Sequence, residues 1–490
     1  MIKIEAKEER YLYNAYHMVK AFCTSEEVEQ CCDKELEADL KLTEADGTEH
    51  VFTADTSNCS AGDIRRELDR EVYRYLADRT GTELAWGMLT GVRPAKLATK
   101  AVEQGVEKTE FIKQFREEYL VSAGKAELAY DIAVRERDVL SELDYKDGYS
   151  LYVGIPFCPS VCSYCSFSSG PIDKWRDQIP AYLDALCKEL AYIGKVSSEK
   201  KLNTIYIGGG TPTSLDAEQL DQILTCIDQS FSREHLLEYT VEAGRPDSIT
   251  EKKLQVIKRH GVIRISINPQ TMQQKTLDRI GRKHSVQEVK DIYRMARKLG
   301  FDNINMDLIA GLPGEGLEDM KDTLAQIQEL APDSLTVHSL AIKRAAQMGQ
   351  EKSTLGYVRD LEEQTEHPER MAEALSAMIE CAHETAYEME LVPYYLYRQK
   401  NIAGNFENVG YAKVDKAGIY NILIMEEKQS IIAAGAGAST KIVLPVPVPV
   451  PGSRNGKTTT LIRVENVKSI RDYIARIDEM IERKGEWLWH

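Results

Sequence analysis

Three cysteines in the middle of the chain are the residues most suited to chemistry. Cys158, Cys162 and Cys165 have the spacing C-x3-C-x2-C and follow a strand-like run. A loop this short can bring three thiolates onto one face of an iron–sulfur cube, whereas a [4Fe–4S] cluster usually takes four. Three local ligands would leave one iron open for an exchangeable ligand, which would make the site that of a catalyst and not of an electron carrier.

A structural zinc site and an inert group of cysteines are the alternatives. Zinc prefers four ligands, often in paired C-x2-C units, and no second pair or His stands near these cysteines to complete such a site. A chance group of core cysteines would rarely lie so close together in one loop. The chain has ten cysteines, and we interpret the seven others as ordinary thiols of a reducing compartment.

Composition narrows the class of protein further. The chain has 490 residues, of which 43% are hydrophobic and 29% charged, as in globular proteins. Its formal net charge of −16 makes nucleic acid an unlikely partner. No apolar run reaches the roughly 18 residues that a membrane span requires, and the charged first 20 residues do not resemble a secretory signal. We expect a cytoplasmic protein without a membrane span.

The cysteine loop must be positioned by a regular alternation of strands and helices. Strand-like runs are predicted at residues 150–155, 204–207, 238–242, 262–267, 303–309 and 334–340, and the helices between them include 216–229, 251–259, 286–299 and 317–330. This order implies parallel strands with right-handed crossovers, in an open sheet or in a complete or partial barrel. In both, the working residues lie at the carboxyl ends of the strands.

Two flanking regions complete the predicted organisation: an N-terminal α+β domain over residues 1–147 and, after the core of 148–345, a C-terminal α+β extension over 346–490. The first contains a strand at 50–53, a helix at 64–76 and a turn at 86–94. In the last we predict helices up to residue 389, an aromatic loop at 393–400, a hairpin of strands 419–425 and 430–434, an exposed polyproline segment at 445–451 and a terminal helix at 467–483.

Polar or glycine residues stand near the ends of the later strands. The second strand ends in Gly208-Gly209-Gly210-Thr211, where the backbone can approach a ligand closely. Glu242, Gln270 and Asp307 stand at or just beyond the next strand ends. Each of them taken alone is as well explained by a structural role as by a ligand.

Together these motifs resemble the radical S-adenosylmethionine (SAM) superfamily, whose signature is this cysteine spacing with an aromatic residue, here Tyr164, before the third Cys. Within it the chain is most similar to the oxygen-independent coproporphyrinogen III dehydrogenase family. The long N-terminal region, residues 90–94 and residues 404–408 look most like the HemZ type of that family.

The resemblance implies a partial (β/α)6 barrel, a [4Fe–4S] cluster on the three cysteines and one or two SAM molecules. Partners would be a tetrapyrrole substrate and an electron donor such as a flavodoxin or ferredoxin. The open iron would chelate SAM, and one electron would cleave it to a radical that abstracts hydrogen. SAM contacts implied by matching motifs are Tyr152, Gly209, Gly210, Thr211, Glu242, Gln270, Arg282, Asp307 and Ala341, with Tyr164, Gly210 and Thr211 near a second SAM.

The lead hypothesis is oxidative decarboxylation of coproporphyrinogen III to protoporphyrinogen IX. Candidate cations for the propionates are Lys343, Arg344, Arg398 and Lys400. Phe167 stands where the dehydrogenase pattern has a fourth Cys, as in its chaperone-like relatives. A heme-binding or heme-transfer protein of the HemW type, with His284 or His338 as axial ligand, therefore remains an alternative, as does a radical SAM tetrapyrrole methyltransferase or ring-opening enzyme.

Overall fold

The computed structural model describes residues 1–23, 26–54, 61–91, 93–167, 169–341, 346, 369–398, 406–450 and 458–489. No helix in these ranges is both long and apolar enough to cross a bilayer.

A small sheet with its own apolar core forms the start of the chain. Its strands, in the spatial order β2-β1-β3-β4, are β1 (Ile2–Ala6), β2 (Val28–Cys32), β3 (Leu40–Thr43) and β4 (Glu49–Phe52). The helices of this region are α1 (Glu9–Phe22), α2 (Ala61–Thr80), α3 (Ala95–Glu103), α4 (Lys108–Tyr119) and α5 (Ala123–Val139). The structure thus has the strand predicted at 50–53 and the helix predicted at 64–76.

The middle of the chain forms the predicted alternation. Its strands are β5 (Gly148–Ile155), β6 (Phe157–Cys158), β7 (Gly170–Pro171), β8 (Lys201–Gly209), β9 (Glu238–Gly244), β10 (Arg264–Ile267), β11 (Ile304–Ala310) and β12 (Ser334–Ser339). Its helices are α6 (Ile179–Val196), α7 (Ala217–Ser230), α8 (Glu251–Arg259), α9 (Gln274–Arg279), α10 (Val286–Lys298) and α11 (Leu317–Leu330). The six predicted strands, β5 and β8 to β12, are parallel neighbours in chain order.

The last part of the chain extends the same sheet at both ends. Its elements are α12 (Glu369–Glu388), β13 (Val392–Arg398), β14 (Glu407–Ala412), α13 (Ile419–Glu426), β15 (Ser430–Ala434), β16 (Ser439–Pro449), β17 (Thr458–Glu465), α14 (Ile470–Ala475) and α15 (Ile477–Gly485). The eleven strands run in the order β13-β14-β12-β11-β10-β9-β8-β5-β15-β16-β17. Strands β5 and β8 to β12 therefore share a sheet with strands of the C-terminal extension, and the three-part division of the chain stays a prediction.

Two C-terminal predictions are wrong in their local structure, and two others are right only in part. The supposed hairpin strand at 419–425 is helix α13, and the supposed aromatic loop at 393–400 is strand β13 as far as Arg398. Pro393 is accommodated in β13 because the register shifts beside it. The proline segment is exposed as expected, but residues 445–449 belong to β16 and span an irregularity in its pairing with β17. The terminal helix is broken into α14 and α15.

The two faces of the central sheet differ in chemistry. Leu151 and Val153 of β5 and Ile205 of β8 belong to the large apolar core outside the sheet. The intervening residues are polar, such as Ser150 and Thr204, which hydrogen-bond to each other at 2.8 Å. Side chains alternate between the two faces of a strand, so the barrel interior is a buried polar space, and it contains the site described next.

Candidate functional site

A cavity of about 420 Å³ lies inside the barrel and reaches the cysteine loop. All thirteen site residues predicted from the sequence line it: Tyr152, Cys158, Cys162, Tyr164, Cys165, Gly209, Gly210, Thr211, Glu242, Gln270, Arg282, Asp307 and Ala341. They come from seven separate segments spread over almost two hundred residues. The structure brings them together, and the role of each stays a prediction.

The cysteine loop is held between the ends of β5 and β8 and the segment after α9. Thr211 Oγ1 donates a hydrogen bond to Cys158 Sγ at 3.5 Å, and Ser163 N donates to Ile280 O at 3.2 Å. Cys158 and Cys162 are buried, and Cys165 is partly exposed. Burial raises the pKa of the Cys165 thiol, and the negative charge of Cys162 and Cys158 adds to that effect. All three cysteines line the same cavity.

Two buried arginines lie beside the thiols. Arg245 Nη1 lies 3.7 Å from Cys162 Sγ. Burial alone would lower the pKa of Arg282, but Tyr164 and Cys162 next to it raise the pKa above its ordinary value. Both guanidinium groups can balance the negative charge that thiolate ligands would bring.

These features fit an iron–sulfur cube better than a single ion. Among the residues that the structure describes, no three His, Cys, Asp or Glu side chains lie close enough to share one metal ion. A cube presents a separate iron to each thiolate, so its ligands need not converge on one point. With the flanking arginines, the three thiols would hold an anionic cluster, and they do not form a four-ligand zinc site.

The glycine loop lies directly against the end of β5. Gly209 has a φ of +105°, which favours glycine, and Gly210 N donates to Ile155 O at 2.7 Å. A Cβ at Gly210 would lie only 2.5 Å from Phe157 O. Because no side chain fits there, the backbone itself lines the cavity, as a close contact with a ligand requires.

Glu242 is the acidic group whose ionisation is most affected by the cavity. Burial raises its pKa to about 7, a hydrogen bond from the Tyr206 hydroxyl acts in the opposite direction, and the charge of Asp307 raises the pKa further. Arg264 and His338 lower it. This carboxyl can therefore change its charge near neutral pH.

Aromatic rings surround Glu242. Tyr206 is the register partner of Tyr152 across β5 and β8, and its ring stacks on Tyr420 with centroids 4.4 Å apart. Tyr420 is the second residue of α13. The C-terminal extension thus supplies a wall of the cavity.

The pKa of Asp307 is shifted in the opposite direction from that of Glu242. Burial raises its pKa, but His338, with further hydrogen bonds from Asn305 and Thr336, outweighs burial and holds the pKa below its ordinary value. Asn305 Nδ2 donates to Asp307 Oδ1 at 2.7 Å, and His338 Nε2 lies 3.9 Å from Asp307 Oδ2. The cavity therefore offers an ionised carboxylate next to one that titrates.

Gln270 is held in an unusual conformation beyond the end of β10. Its φ of +70° lies in the left-handed region, and two backbone hydrogen bonds of 2.9 Å, to Asp307 O and from Ile309 N, keep it there. The buried Gln270 Oε1 and Asn268 Oδ1 have no hydrogen-bond partner within the described residues. Buried acceptors normally have donors, so both atoms fit a ligand that carries donors, such as the ammonium and hydroxyl groups of SAM.

Sequence reasoning missed several residues of this cavity, among them Tyr206, Arg245, Asn268, Tyr395 and Tyr420. Tyr206 could have been found, because it stands two residues before the glycine loop on the inward face of β8. Tyr420 could not, because its segment was interpreted as an outer hairpin strand.

Some proposed ligands are not brought to the cavity. Arg398 is buried and donates to Leu89 O at 2.8 Å, and His284 is buried without lining the cavity. Lys343, Arg344 and Lys400 lie outside the described residues.

Comparison with known proteins agrees with this geometry. A family model described as "Radical SAM superfamily" matches residues 152–327. The oxygen-independent coproporphyrinogen-III oxidase-like protein HemZ of Bacillus subtilis is 42% identical over 378 residues, which are 76% of this chain and 73% of that protein. The heme chaperone HemW of the same organism is 36% identical over 200 residues, 40% of this chain and 51% of HemW.

A solved structure shares the fold. Coproporphyrinogen III oxidase (HemN) from Escherichia coli superimposes with a TM-score of 0.52 at 19% identity, over 69% of this chain and 71% of that one. The predicted fold class is thereby confirmed.

Fold and cavity together define a radical SAM protein, with the [4Fe–4S] cluster and SAM that this superfamily implies. Within that superfamily the chain belongs to the family of HemZ, the oxygen-independent coproporphyrinogen-III oxidase-like proteins.

Proposed function

We propose that this protein catalyses the oxygen-independent oxidative decarboxylation of coproporphyrinogen III to protoporphyrinogen IX. The observation that carries the proposal is the convergence of thirteen residues from separate segments on one cavity, in a chain that matches HemZ over most of the length of both proteins. The cytoplasmic location, and the absence of a nucleic-acid partner, stay predictions from composition.

The residues that line the cavity would have different roles, which depend on where they lie. Cys158, Cys162 and Cys165 would hold the cluster, and the glycine loop would bind SAM through its backbone. Glu242 and Asp307 would accept hydrogen bonds from its polar groups. When bound, the cluster and SAM supply the one-electron chemistry that removes hydrogen from an unactivated carbon. The buried walls would exclude water from that reaction.

The substrate has four carboxylates, so its recognition requires cations in a chain of negative net charge. The described arginines that line the cavity are Arg245, Arg264 and Arg282. Two of them contact Cys162, and Arg264 donates to Ser334 Oγ at 3.1 Å deep in the barrel. We propose that the ring packs against the tyrosine wall formed by Tyr395, Tyr397 and Tyr420.

An anaerobic assay tests the proposal. The reconstituted protein is incubated with SAM, coproporphyrinogen III, a reduced flavodoxin or ferredoxin as electron donor, and an acceptor for the electron that each propionate radical releases together with CO2. We expect loss of two carboxyl groups as CO2 and formation of protoporphyrinogen IX, and no product from Cys162→Ala. Wild-type protein with an intact cluster that gives no decarboxylated product would reject the assignment. The ratio of SAM bound to protein in the same preparation decides between one and two SAM molecules.

Heme binding is the second candidate, and two observations favour it. His338 lines the cavity, and the HemW proteins are among the relatives. A heme titration followed at the Soret band is expected to respond to His338→Ala if this candidate is correct. Product masses after incubation with tetrapyrroles separate both candidates from a methyltransferase or a ring-opening enzyme.

A further inference from the structure

Arg245 joins the end of β9 to the cysteine loop. Its side chain is only 3% exposed. Nη1 donates to Ser160 O at 2.9 Å and to Ser160 Oγ at 2.8 Å, and the same nitrogen lies 3.7 Å from Cys162 Sγ. The guanidinium group of Arg245, like that of Arg282, therefore contacts the middle thiol.

Asp247 holds that guanidinium group from the opposite side. Arg245 Nε donates to Asp247 Oδ1 at 2.9 Å, and Nη2 donates to Asp247 Oδ2 at 2.6 Å. This two-point contact fixes the plane of the guanidinium group and directs Nη1 at the loop. Thiol, arginine and carboxylate thus form a line of alternating charge, once the thiol is ionised.

Neither residue belongs to a recognised motif, and the proposed function uses Arg245 only as one of the cations that line the cavity. An ion pair of this kind contributes to the stability of the loop, but a purely structural pair would not need to contact a cluster ligand. The reduction potential of an iron–sulfur cluster depends on net charge and on hydrogen bonds to its sulfur ligands.

We propose that Arg245 and Asp247 act as a positioned charge pair that sets the reduction potential of the cluster held by Cys162. Arg245 stabilises the reduced, more negative state, and Asp247 limits that effect by balancing part of the arginine charge. The pair positions a charge beside the cysteine loop and shifts the reduction potential of the cluster, but it takes no part in the reaction itself. The inference rests on cluster binding by the three cysteines and not on the identity of the tetrapyrrole.

Two variants with opposite expected signs test this inference. Arg245→Gln removes the positive charge, and we expect the midpoint potential of the reconstituted full chain to become more negative. We expect this shift to change the ratio of oxidised to reduced cluster at a fixed potential about tenfold, which corresponds to about 59 mV for a one-electron couple. Asp247→Asn leaves the arginine uncompensated and is expected to move the midpoint in the positive direction.

Two control variants separate the effect of the Arg245 charge from an effect on the structure of the cysteine loop. Arg245→Lys keeps the charge and should keep a midpoint near that of the wild type. Arg259→Gln breaks an exposed ion pair with Asp221 on the outer helices and should leave the midpoint unchanged. Iron and sulfide content measures the occupancy of the cluster in every variant.

Shifts of the same sign in Arg245→Gln and Asp247→Asn, or no shift at full occupancy, would overturn the proposal. Loss of the cluster from both folded variants would also overturn it, because the pair would then only hold the loop. If only one of the two variants loses the cluster, the direction of the midpoint shift in the other variant decides whether the proposal holds. No porphyrin enters these titrations, so their outcome is independent of whether coproporphyrinogen III is turned over.

Discussion

Gly210 lies where the glycine loop meets the end of β5, and the backbone there leaves no room for a side chain. Its amide bonds to Ile155 O, and a Cβ would lie 2.5 Å from Phe157 O. Both contacts involve backbone atoms, which cannot move aside as a flexible side chain could. A methyl group would therefore displace the loop from the cysteine segment.

We expect Gly210→Ala to weaken SAM binding at least tenfold and to lower the free energy of unfolding by about 1–3 kcal/mol. Anaerobic calorimetry and urea unfolding measure the two effects. Gly124→Ala is the matched control, because nothing lies within 4 Å of a Cβ at that position, in the first turn of α5. Equal SAM affinity in Gly210→Ala and wild type would contradict a close backbone contact.

Glu242 leads to a prediction about pH. With its pKa raised to about 7 by burial, the carboxyl is mostly protonated at pH 6 and mostly ionised at pH 8. If the ionised form accepts hydrogen bonds from SAM, the dissociation constant should rise about tenfold as the pH falls from 8 to 6.

The Glu242→Gln variant should bind SAM more weakly at pH 8, with a dissociation constant that changes little over this range. Calorimetric titrations at several pH values check both statements. If the dissociation constant of Glu242→Gln still changed with pH, the titration would belong to another group.

At the scale of elements, the strands were predictable and helix α13 was not. Apolar residues of β5 and β8 to β12 face the outer helices at every second position, and this signal located all six strands. The segment 419–425 is rich in isoleucine, which favours strands. In the structure, Tyr420 N at the start of the helix donates to Glu238 Oε2 of β9 at 3.2 Å. A helix start supported by a carboxylate from a distant strand cannot be found from local sequence.

Part of the candidate site was predictable from the sequence and part was not. The cysteines, the glycine loop and the residues at the strand ends carry recognisable motifs. Tyr206, Asn268 and Arg245 lie on strands or just after them without a motif, and only the three-dimensional structure shows that they face the cavity.

Tyr420 shows what helix α13 contributes to the barrel. The side chain is 4% exposed and stacks on Tyr206. Tyr420→Ala should lower the free energy of unfolding by about 3 kcal/mol, because it leaves a cavity in a packed aromatic cluster. Tyr420→Phe keeps the stacking ring and should lower the free energy of unfolding much less. Urea unfolding of both variants checks this, and similar losses would show that the hydroxyl, and not the ring, matters.

At the scale of the whole molecule, the turn after α2 ties the N-terminal region to the C-terminal extension. The buried Glu407 of β14 accepts hydrogen bonds from Trp86 Nε1 at 2.6 Å and from Lys125 Nζ at 2.5 Å. Arg93 donates to Glu427 at 2.7 Å, just beyond α13. Arg93 and Glu407, one from each of the two segments that suggested the HemZ type, therefore both take part in contacts between the N-terminal region and the C-terminal extension.

Glu407→Gln should lower the free energy of unfolding by about 3–5 kcal/mol, because Lys125 would lose its partner in a mostly buried position. The exposed pair of Glu103 with Lys428 is the control, and Glu103→Gln should change the free energy by less than about 1 kcal/mol. Equal effects in urea unfolding would contradict a special role for the interface.

Acid should weaken the same contact. Burial raises the pKa of Glu407, but Lys125 and Trp86 outweigh burial and hold the pKa below its ordinary value. The stabilisation is therefore complete above the ordinary pKa of a glutamate and is lost as the pH falls through the depressed value.

The placement of β15 beside β5 has a consequence for synthesis on the ribosome. β5 leads into the cysteine loop, and its two neighbours are β8, which emerges soon afterwards, and β15, which emerges only after β8 to β12. Until then the strand that bears the loop has an open edge, which is a place where nascent chains can pair wrongly. We therefore expect the loop to reach its final position for iron and sulfide only after β15 has paired with β5.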